Sequence, residues 1–281
     1  MKEVMGLSLI KKISKLIHII SAGDPEWIKA VFRGVAAGIE HKKILPHLAP
    51  LRTIVDVGAN HGQFALVVRH CFPGATIFAF EPLAGPAAVF CKVFADDNKI
   101  NFFQAAVGPQ SGETTIHVSG ADDSSSLLPI SKLQQRLYPG TGEVGTETIR
   151  VGRLSDFVTA EDIKAPALLK LDVQGFELEA LRGCEDLLGR FAQVYVECSF
   201  VELYTGQALA HEVIAWLAGR GFVLKGVYNM GYDDQGRAVQ GDFLFTSTSF
   251  SRAEVQRRRE GRPGSIGKTL AREGTGACAP A

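Results

Sequence analysis

The sequence has no Cys-x-x-Cys pair, no Asn-x-Ser/Thr sequon and no excess of charge of either sign. Five cysteines, Cys71, Cys91, Cys184, Cys198 and Cys278, are scattered through 281 residues. An odd, dispersed set argues against a disulfide framework or a zinc ribbon and for a reduced compartment, so a cytoplasmic protein is expected. The seven histidines form no H-x-x-x-H pair, which removes the commonest helical zinc signature. Thirty basic residues balance thirty acidic ones, so no electrostatic footprint for a nucleic acid is present. No apolar run reaches the roughly 18 residues that a membrane-spanning helix needs. What the chain does have is 46% hydrophobic residues against 21% charged, enough to bury a core.

The charge balance hides two basic ends. Residues 1–20 hold four lysines and one acid, interleaved with Ile10, Ile13, Ile17 and Ile20 at helical spacing. The lysines break any signal-peptide core. Residues 1–50 are therefore expected as a helical segment that packs on the domain or on a second copy in a homodimer. Weak contact with a membrane surface is the alternative for a basic amphipathic helix. Residues 251–281 hold seven basic residues and three acids, few of them apolar, and are expected as a disordered tail. Gly264 to Thr269 in that tail reads G-S-I-G-K-T. A P-loop needs its first glycine at position 262, where the chain has Arg262, and it needs a preceding strand.

Residues 51–250 alternate strands and helices. Thr53–Val57 is a short β-branched run. Phe64, Val67, Val68 and Cys71 then mark a helix face that ends at Pro73-Gly74. Strands are expected at 75–80, 100–107, 113–118, 168–173 and 194–198, with helices after the runs at 53–57, 75–80, 168–173 and 194–198. A hairpin around Asp233 to Gly236 should close the domain. Residues 119–147, rich in Gly, Ser and Asp, are expected as a long substrate-covering loop. The βαβ order argues for a mainly parallel sheet with helices on both faces and an antiparallel C-terminal hairpin.

The first βα turn reads Asp56-Val57-Gly58-Ala59-Asn60-His61-Gly62. Ligands of open α/β sheets sit at the carboxyl ends of strands, where glycines admit close backbone approach. A dinucleotide fingerprint would want glycines at 60 and 63. The chain has Asn60 and Gln63, which disfavours a pyrophosphate. Asp56, two residues before the first glycine, suits a cationic ligand. Glu81, which ends the second strand, can accept hydrogen bonds from both hydroxyls of a ribose. Acid, glycine turn and ribose acid together fit S-adenosylmethionine, through Asp56, Gly58, Asn60, Gly62 and Glu81.

The ordered set Asp-Val-Gly-Ala-Asn-x-Gly-x-Phe, Phe-Glu-Pro, Ala-Ala-Val-Gly (105–108), Ser-Ser-Leu (125–127) and Lys-Leu-Asp-Val-Gln-Gly-Phe-Glu (170–177) resembles FkbM-type S-adenosylmethionine-dependent methyltransferases over residues 50–247. The resemblance implies a Rossmann-like class I methyltransferase fold with a seven-stranded sheet. It also implies Ala106 at the cofactor, and O-methylation of a sugar hydroxyl on a saccharide, glycolipid or glycosylated metabolite. A non-catalytic binding or assembly protein on the same fold is the alternative. Gln174 stands where the family usually has Glu, and Arg153-Leu-Ser155 replaces its Thr-Leu-Asp.

A poorly acidic alcohol benefits from a general base or a metal such as Mg²⁺. Asp172, at the end of the fourth buried strand, can serve as either, or it can cap the following helix. Glu197, at the end of the fifth, is a weaker base candidate. Glu177 is expected as an acid in the first turn of a helix, and His61, His117 and His211 as surface side chains.

Overall fold

A computed structural model of the chain describes residues 21–251 together with Ile17 and Ile19. In chain order the elements are α1 (Pro25–Phe32), β1 (Thr53–Val57), α2 (Gln63–Cys71), β2 (Thr76–Phe80), α3 (Ala84–Val93), β3 (Ile100–Phe103), β4 (Ala106–Val107), β5 (Gly112–Ser119), α4 (Lys132–Leu137), β6 (Glu143–Gly152), β7 (Ala167–Leu171), α5 (Glu177–Gly183), β8 (Gln193–Ser199), α6 (Ala210–Ala218), β9 (Phe222–Tyr232) and β10 (Ala238–Ser247).

Seven strands form one sheet in the order β3-β2-β1-β7-β8-β10-β9. β10 runs antiparallel between β8 and β9, and the pairs from β3 across to β8 are parallel. This is the arrangement expected for a Rossmann-like class I methyltransferase. The hairpin turn falls at Asp233 to Gly236 as its residues require, with Gly236 at positive φ.

β1 and β7 are buried along their whole lengths because both faces are covered. On one face Val55, Val57, Leu169, Leu171, Val194 and Val196 pack with Leu181 of α5 and Val213 and Leu217 of α6. On the other, Ile54, Ile77 and Leu168 pack with Trp27, Phe64, Val67 and Phe90 from α1, α2 and α3. A polar row interrupts this second face. Register places Asp56, Lys170 and Tyr195 side by side on β1, β7 and β8.

Three expectations change. The run 100–107 splits at a bend, where the Ala105 N–H turns back to the Phe103 carbonyl. Its second half, β4, joins β6 and β5 in a separate three-stranded sheet. Residues 119–147 are not one loop, because they contain α4 and the start of β6. Polar composition misled there: β6 is exposed along most of its length and so carries few apolar residues. The described part of the N-terminal segment shares the domain core. Ile19, Trp27, Ala30, Val35, Ala37, Ile44 and Leu45 are all buried in it. Most of the basic isoleucine helix and the whole of 252–281, with its P-loop-like stretch, lie outside the described residues. Among the described residues no helix is long and apolar enough to cross a membrane.

α1 shows how that segment is fixed. Asp24 caps it, accepting from the Glu26 and Trp27 amides, and Pro25 opens its first turn. Trp27 is fully buried and donates its indole N–H to the Leu66 carbonyl at 3.0 Å. Trp27→Ala should therefore destabilise the protein by about 3–5 kcal/mol, the usual cost of emptying a large aromatic site. Urea unfolding of the two proteins measures the difference.

Candidate active site

At the carboxyl ends of the parallel strands lies a cleft of about 270 Å³. Its floor is the β1–α2 turn. Gly58 and Gly62 both have positive φ, at 78° and 94°. A Cβ on Gly58 would stand 1.8 Å from the Asp172 carbonyl oxygen. Only glycine lets the loops after β1 and β7 meet, and the Asp172 N–H donates to the Val57 carbonyl at that junction. Asn60 is also left-handed, at φ 45°, and its Oδ1 accepts from the His61 amide.

Glu81 follows β2 and faces the cleft, nearly buried. Its two oxygens accept from the Asn60 and Leu83 amides at 3.0 and 2.9 Å. Burial pushes its pKa up to about 7, against the pull of those two hydrogen bonds. Ala106 of β4 lines the same end, and Asp123, Ser125, Ser126 and Leu127 close over it.

Asp56 occupies a different place from the one its position in the motif suggested. It is fully buried, does not line the cleft, and stands 3.0 Å from the Lys170 ammonium. Its alternate position in β1 turns it under the sheet, into the polar row, rather than up into the turn. Lys170 reaches the cleft in its stead. Its Nζ donates to the Gly58 carbonyl at 2.9 Å, lies 3.8 Å from Asp172 Oδ2, and sits 5.5 Å from the Phe64 ring centroid. Burial pulls the Lys170 pKa down, but Asp56 and Asp172 outweigh it and hold the ammonium protonated.

Asp172 lines the cleft and remains partly exposed. Its Oδ1 accepts from Gln174 Nε2 at 2.7 Å. Glu197 does not line the cleft. It accepts from Gln174 Nε2 at 3.2 Å and from Gln240 Nε2 at 2.9 Å. Burial, then the charges of Asp172, Asp242 and Glu177, drive its pKa up. It stands behind Gln174 rather than beside a ligand.

The family departure at position 174 has a physical account. Gln174 is left-handed, at φ 55°, and its amide donates to two carboxylates while Tyr204 Oη lies 2.8 Å from its Oε1. A glutamate there would set a third carboxylate between Asp172 and Glu197.

Glu177 opens α5 as expected, but it faces inward. Its Oε1 accepts from the Val173 and Gly175 amides at 3.2 and 3.1 Å, tying the loop that carries Asp172 and Gln174. His61 is half-buried, and His117 lies 3.0 Å from Glu143 on the second sheet.

Sequence patterning missed several cleft residues, His41 among them. His41 enters from the short 3₁₀ turn Ile39–Lys43 and contacts Tyr195 of β8. It belongs to no motif, and only the packing of that turn on α2 brings it to the site.

The charged groups of the lining are Glu40, Glu81, Asp123 and Asp172 against Lys170, whose charge Asp56 balances from below. Such a surface suits a ligand bearing positive charge, and S-adenosylmethionine, a sulfonium with an α-ammonium group, is one. Among the described residues no group of three or more His, Cys, Asp or Glu is placed to hold a metal ion.

The model of a methyltransferase FkbM domain matches residues 56–224. The 2-O-methyltransferase NoeI of Sinorhizobium fredii is 26% identical over 215 residues, covering 74% of this chain and 85% of that one. Methyltransferase 1 of Beauveria bassiana is 33% identical over 155 residues, covering 47% and 58%. The 31-O-demethyl-FK506 methyltransferase FkbM of Streptomyces tacrolimicus is 29% identical over 204 residues, covering 63% and 75%.

Glu177 gives a pH test of this loop. Burial raises its pKa from 4.5 to about 7, against the hydrogen bonds it accepts. Between those values the folded state holds a proton that the unfolded chain has lost. The stability from protonated Glu177 is therefore full below the unfolded value and drains away as pH rises through about 7. Glu177→Gln keeps the accepting oxygen and lacks the titration. The variant's stability relative to wild type should climb steadily as pH is raised across that window. Thermal unfolding at a series of pH values checks the slope.

Proposed function

The chain belongs to the FkbM methyltransferase family and is an S-adenosylmethionine-dependent O-methyltransferase, and from that premise we propose that its acceptor is a sugar hydroxyl on a saccharide, glycolipid or glycosylated metabolite. The observation that carries this reading is the division of the cleft. One end, below β2 and β4, has the ribose-type carboxylate and apolar cover. The other, toward β7 and β8, presents Glu40, His41, Gln63, Asp172 and Gln174. Closely spaced donors and acceptors of that kind hydrogen-bond a polyol better than they solvate an apolar ring.

The cofactor supplies an activated methyl group, and the protein's task is alignment. Glu81 binds the ribose hydroxyls with the lone pairs that Asn60 and Leu83 leave. Gly58 and Asn60 present backbone to the amino-acid portion, and Ala106 bounds the adenine side; Gly62, expected at the cofactor, does not line the cleft, and its missing Cβ makes room for Phe94 instead. Asp56 acts from below by fixing Lys170. Asp172 accepts a hydrogen bond from a hydroxyl next to the one that is methylated and so sets the direction of the sugar. Its carboxylate already accepts from Gln174 and faces the Lys170 ammonium, which makes it a good orienting group and an unfavourable neighbour for a divalent cation. Glu197 positions Asp172 through Gln174.

Two variants separate these roles. Glu81→Ala should weaken S-adenosylmethionine binding by about 1.5–3 kcal/mol, the worth of hydrogen bonds to a charged group. Because the cofactor prefers ionised Glu81, wild-type affinity should fall as pH drops below about 7, and the alanine variant should lack that fall. Calorimetry measures both.

Asp172→Asn should leave cofactor affinity intact and lower kcat about 10–100-fold, the kinetic equivalent of one charge-assisted hydrogen bond. Radiolabelled methyl transfer to a panel of methyl glycosides reads kcat. Cofactor binding with no transfer to any glycoside would reject the sugar hydroxyl as acceptor. Chelation followed by Mg²⁺ addition in the same assay should leave turnover unchanged.

A further inference from the structure

The group that receives the acceptor's proton is identified by a chain of hydrogen bonds behind His41. Asp242 of β10 ends that chain. Its Oδ2 accepts from Tyr195 Oη at 2.7 Å and from Asn229 Nδ2 at 2.8 Å. The Tyr195 hydroxyl has one proton, and Asp242 takes it. Toward His41 Nδ1, 3.0 Å away, the phenol oxygen can only accept. Nδ1 must therefore carry hydrogen, and in the neutral ring Nε2 is left as a bare lone pair.

The ring is held firmly in that orientation. It lies edge-on to Phe64 and to Tyr195, with interplanar angles of 84° and 88°. Gly38, just before the turn, donates to the Gln63 carbonyl at 2.8 Å. A Cβ on Gly38 would press to 3.0 Å from the imidazole Cδ2 and 3.2 Å from that carbonyl oxygen. The His41 side chain is only 14% exposed, yet it lines the cleft. Its neighbours belong to β8 and β10, whereas Glu81 follows β2. In the sheet order these lie on opposite sides of β1 and β7. His41 is thus at the acceptor end.

We propose that His41 is the catalytic base of the methyl transfer, with Tyr195 and Asp242 as positioning residues that fix its tautomer. The inference rests on the reading of this end as the acceptor site. The acceptor oxygen forms the new bond to the methyl carbon, and the carbon–sulfur electron pair stays on sulfur. The hydroxyl proton goes to Nε2. The products are a methyl ether, S-adenosylhomocysteine and an imidazolium that later gives its proton to water. Asp242 Oδ2, 3.7 Å from Nδ1, balances that imidazolium.

Burial and four charged groups act on the ring's charge. Burial lowers its pKa, Asp242 and Glu40 raise it, Lys170 lowers it and Asp172 raises it. The balance keeps His41 below its ordinary value of 6.5, neutral and able to accept a proton at neutral pH.

The test uses the full chain. Nitrogen NMR of ¹⁵N-histidine-labelled protein, with no ligand added, reads the tautomer, His41→Asn assigning the signal. Protonated Nδ1 with an unprotonated Nε2 is expected, and Tyr195→Phe should release that preference. The reverse tautomer in wild type overturns the proposal.

In the methyl glycoside assay, His41→Asn keeps a donor toward Tyr195 but offers no base. It should bind S-adenosylmethionine within about twofold of wild type, which also shows that it folds, while kcat falls about 10²–10⁴-fold. At saturating S-adenosylmethionine, where the titration of Glu81 no longer limits binding, the acid limb of the wild-type kcat profile should vanish in the variant. Undiminished turnover or an unchanged profile rejects His41 as the base. Absence of transfer by wild type itself is a different outcome, and it rejects the sugar reading instead.

Discussion

The ammonium of Lys170 is the constraint around which the cleft is arranged. It is buried at the carboxyl end of β7, 3.0 Å from Asp56, 2.9 Å from the Gly58 carbonyl and 3.8 Å from Asp172. No hydrogen-bond donor beyond that ammonium reaches either Asp56 oxygen among the described residues. Lys170 is thus the one partner of Asp56 among the described residues, while Lys170 itself also has Asp172 and the Gly58 carbonyl, and removing the ammonium would strand the Asp56 carboxylate. The pair also fixes geometry. It locks the β1 turn to the β7 loop at the point where Gly58 admits the Asp172 carbonyl. Those two loops form the floor and one wall of the cleft.

With Lys170 neutralised from below, the carboxylates that face the cleft set its sign. Five acids stand in or behind the site, and the chain keeps them from repelling one another by giving each a neutral hydrogen-bond donor. Glu81 has two backbone amides. Glu177 has two others, and it faces away from the ligand space. Asp172 and Glu197 share the neutral amide of Gln174. Asp242 has Tyr195 and Asn229. Similar side chains therefore do different work. Glu81 and Glu177 both have pKa values near 7 for the same reason, burial, yet one meets the cleft and the other only ties a loop.

The elements flanking the Rossmann-like sheet shape what the family core alone would leave open. The second sheet, β4-β6-β5, brings Ala106 and Ile116 to the cofactor end, with Leu127 beside them. The N-terminal turn brings His41 to the other end. Neither feature follows from the βαβ pattern, because both depend on segments that cross over the sheet rather than belong to it.

The sequence by itself determined the sheet, its parallel order with a closing hairpin, and the ligand turn. Short β-branched runs must be buried on both faces, and a glycine-bearing strand end must face the ligand edge. It also marked Glu81 and Asp172, since each directly follows a strand and strand ends point into the crevice. It could not place Asp56 or Glu197 correctly. Strand alternation and neighbour register decide whether a carboxylate meets the cleft, a lysine or a glutamine, and register exists only once strands pair. His41, Tyr195 and Asp242 come from a 3₁₀ turn, β8 and β10, separated by 154 and 47 residues. No spacing rule links residues so far apart. The tertiary structure alone joined them, because a buried phenol and a buried carboxylate must find partners wherever packing brings a donor or acceptor within reach.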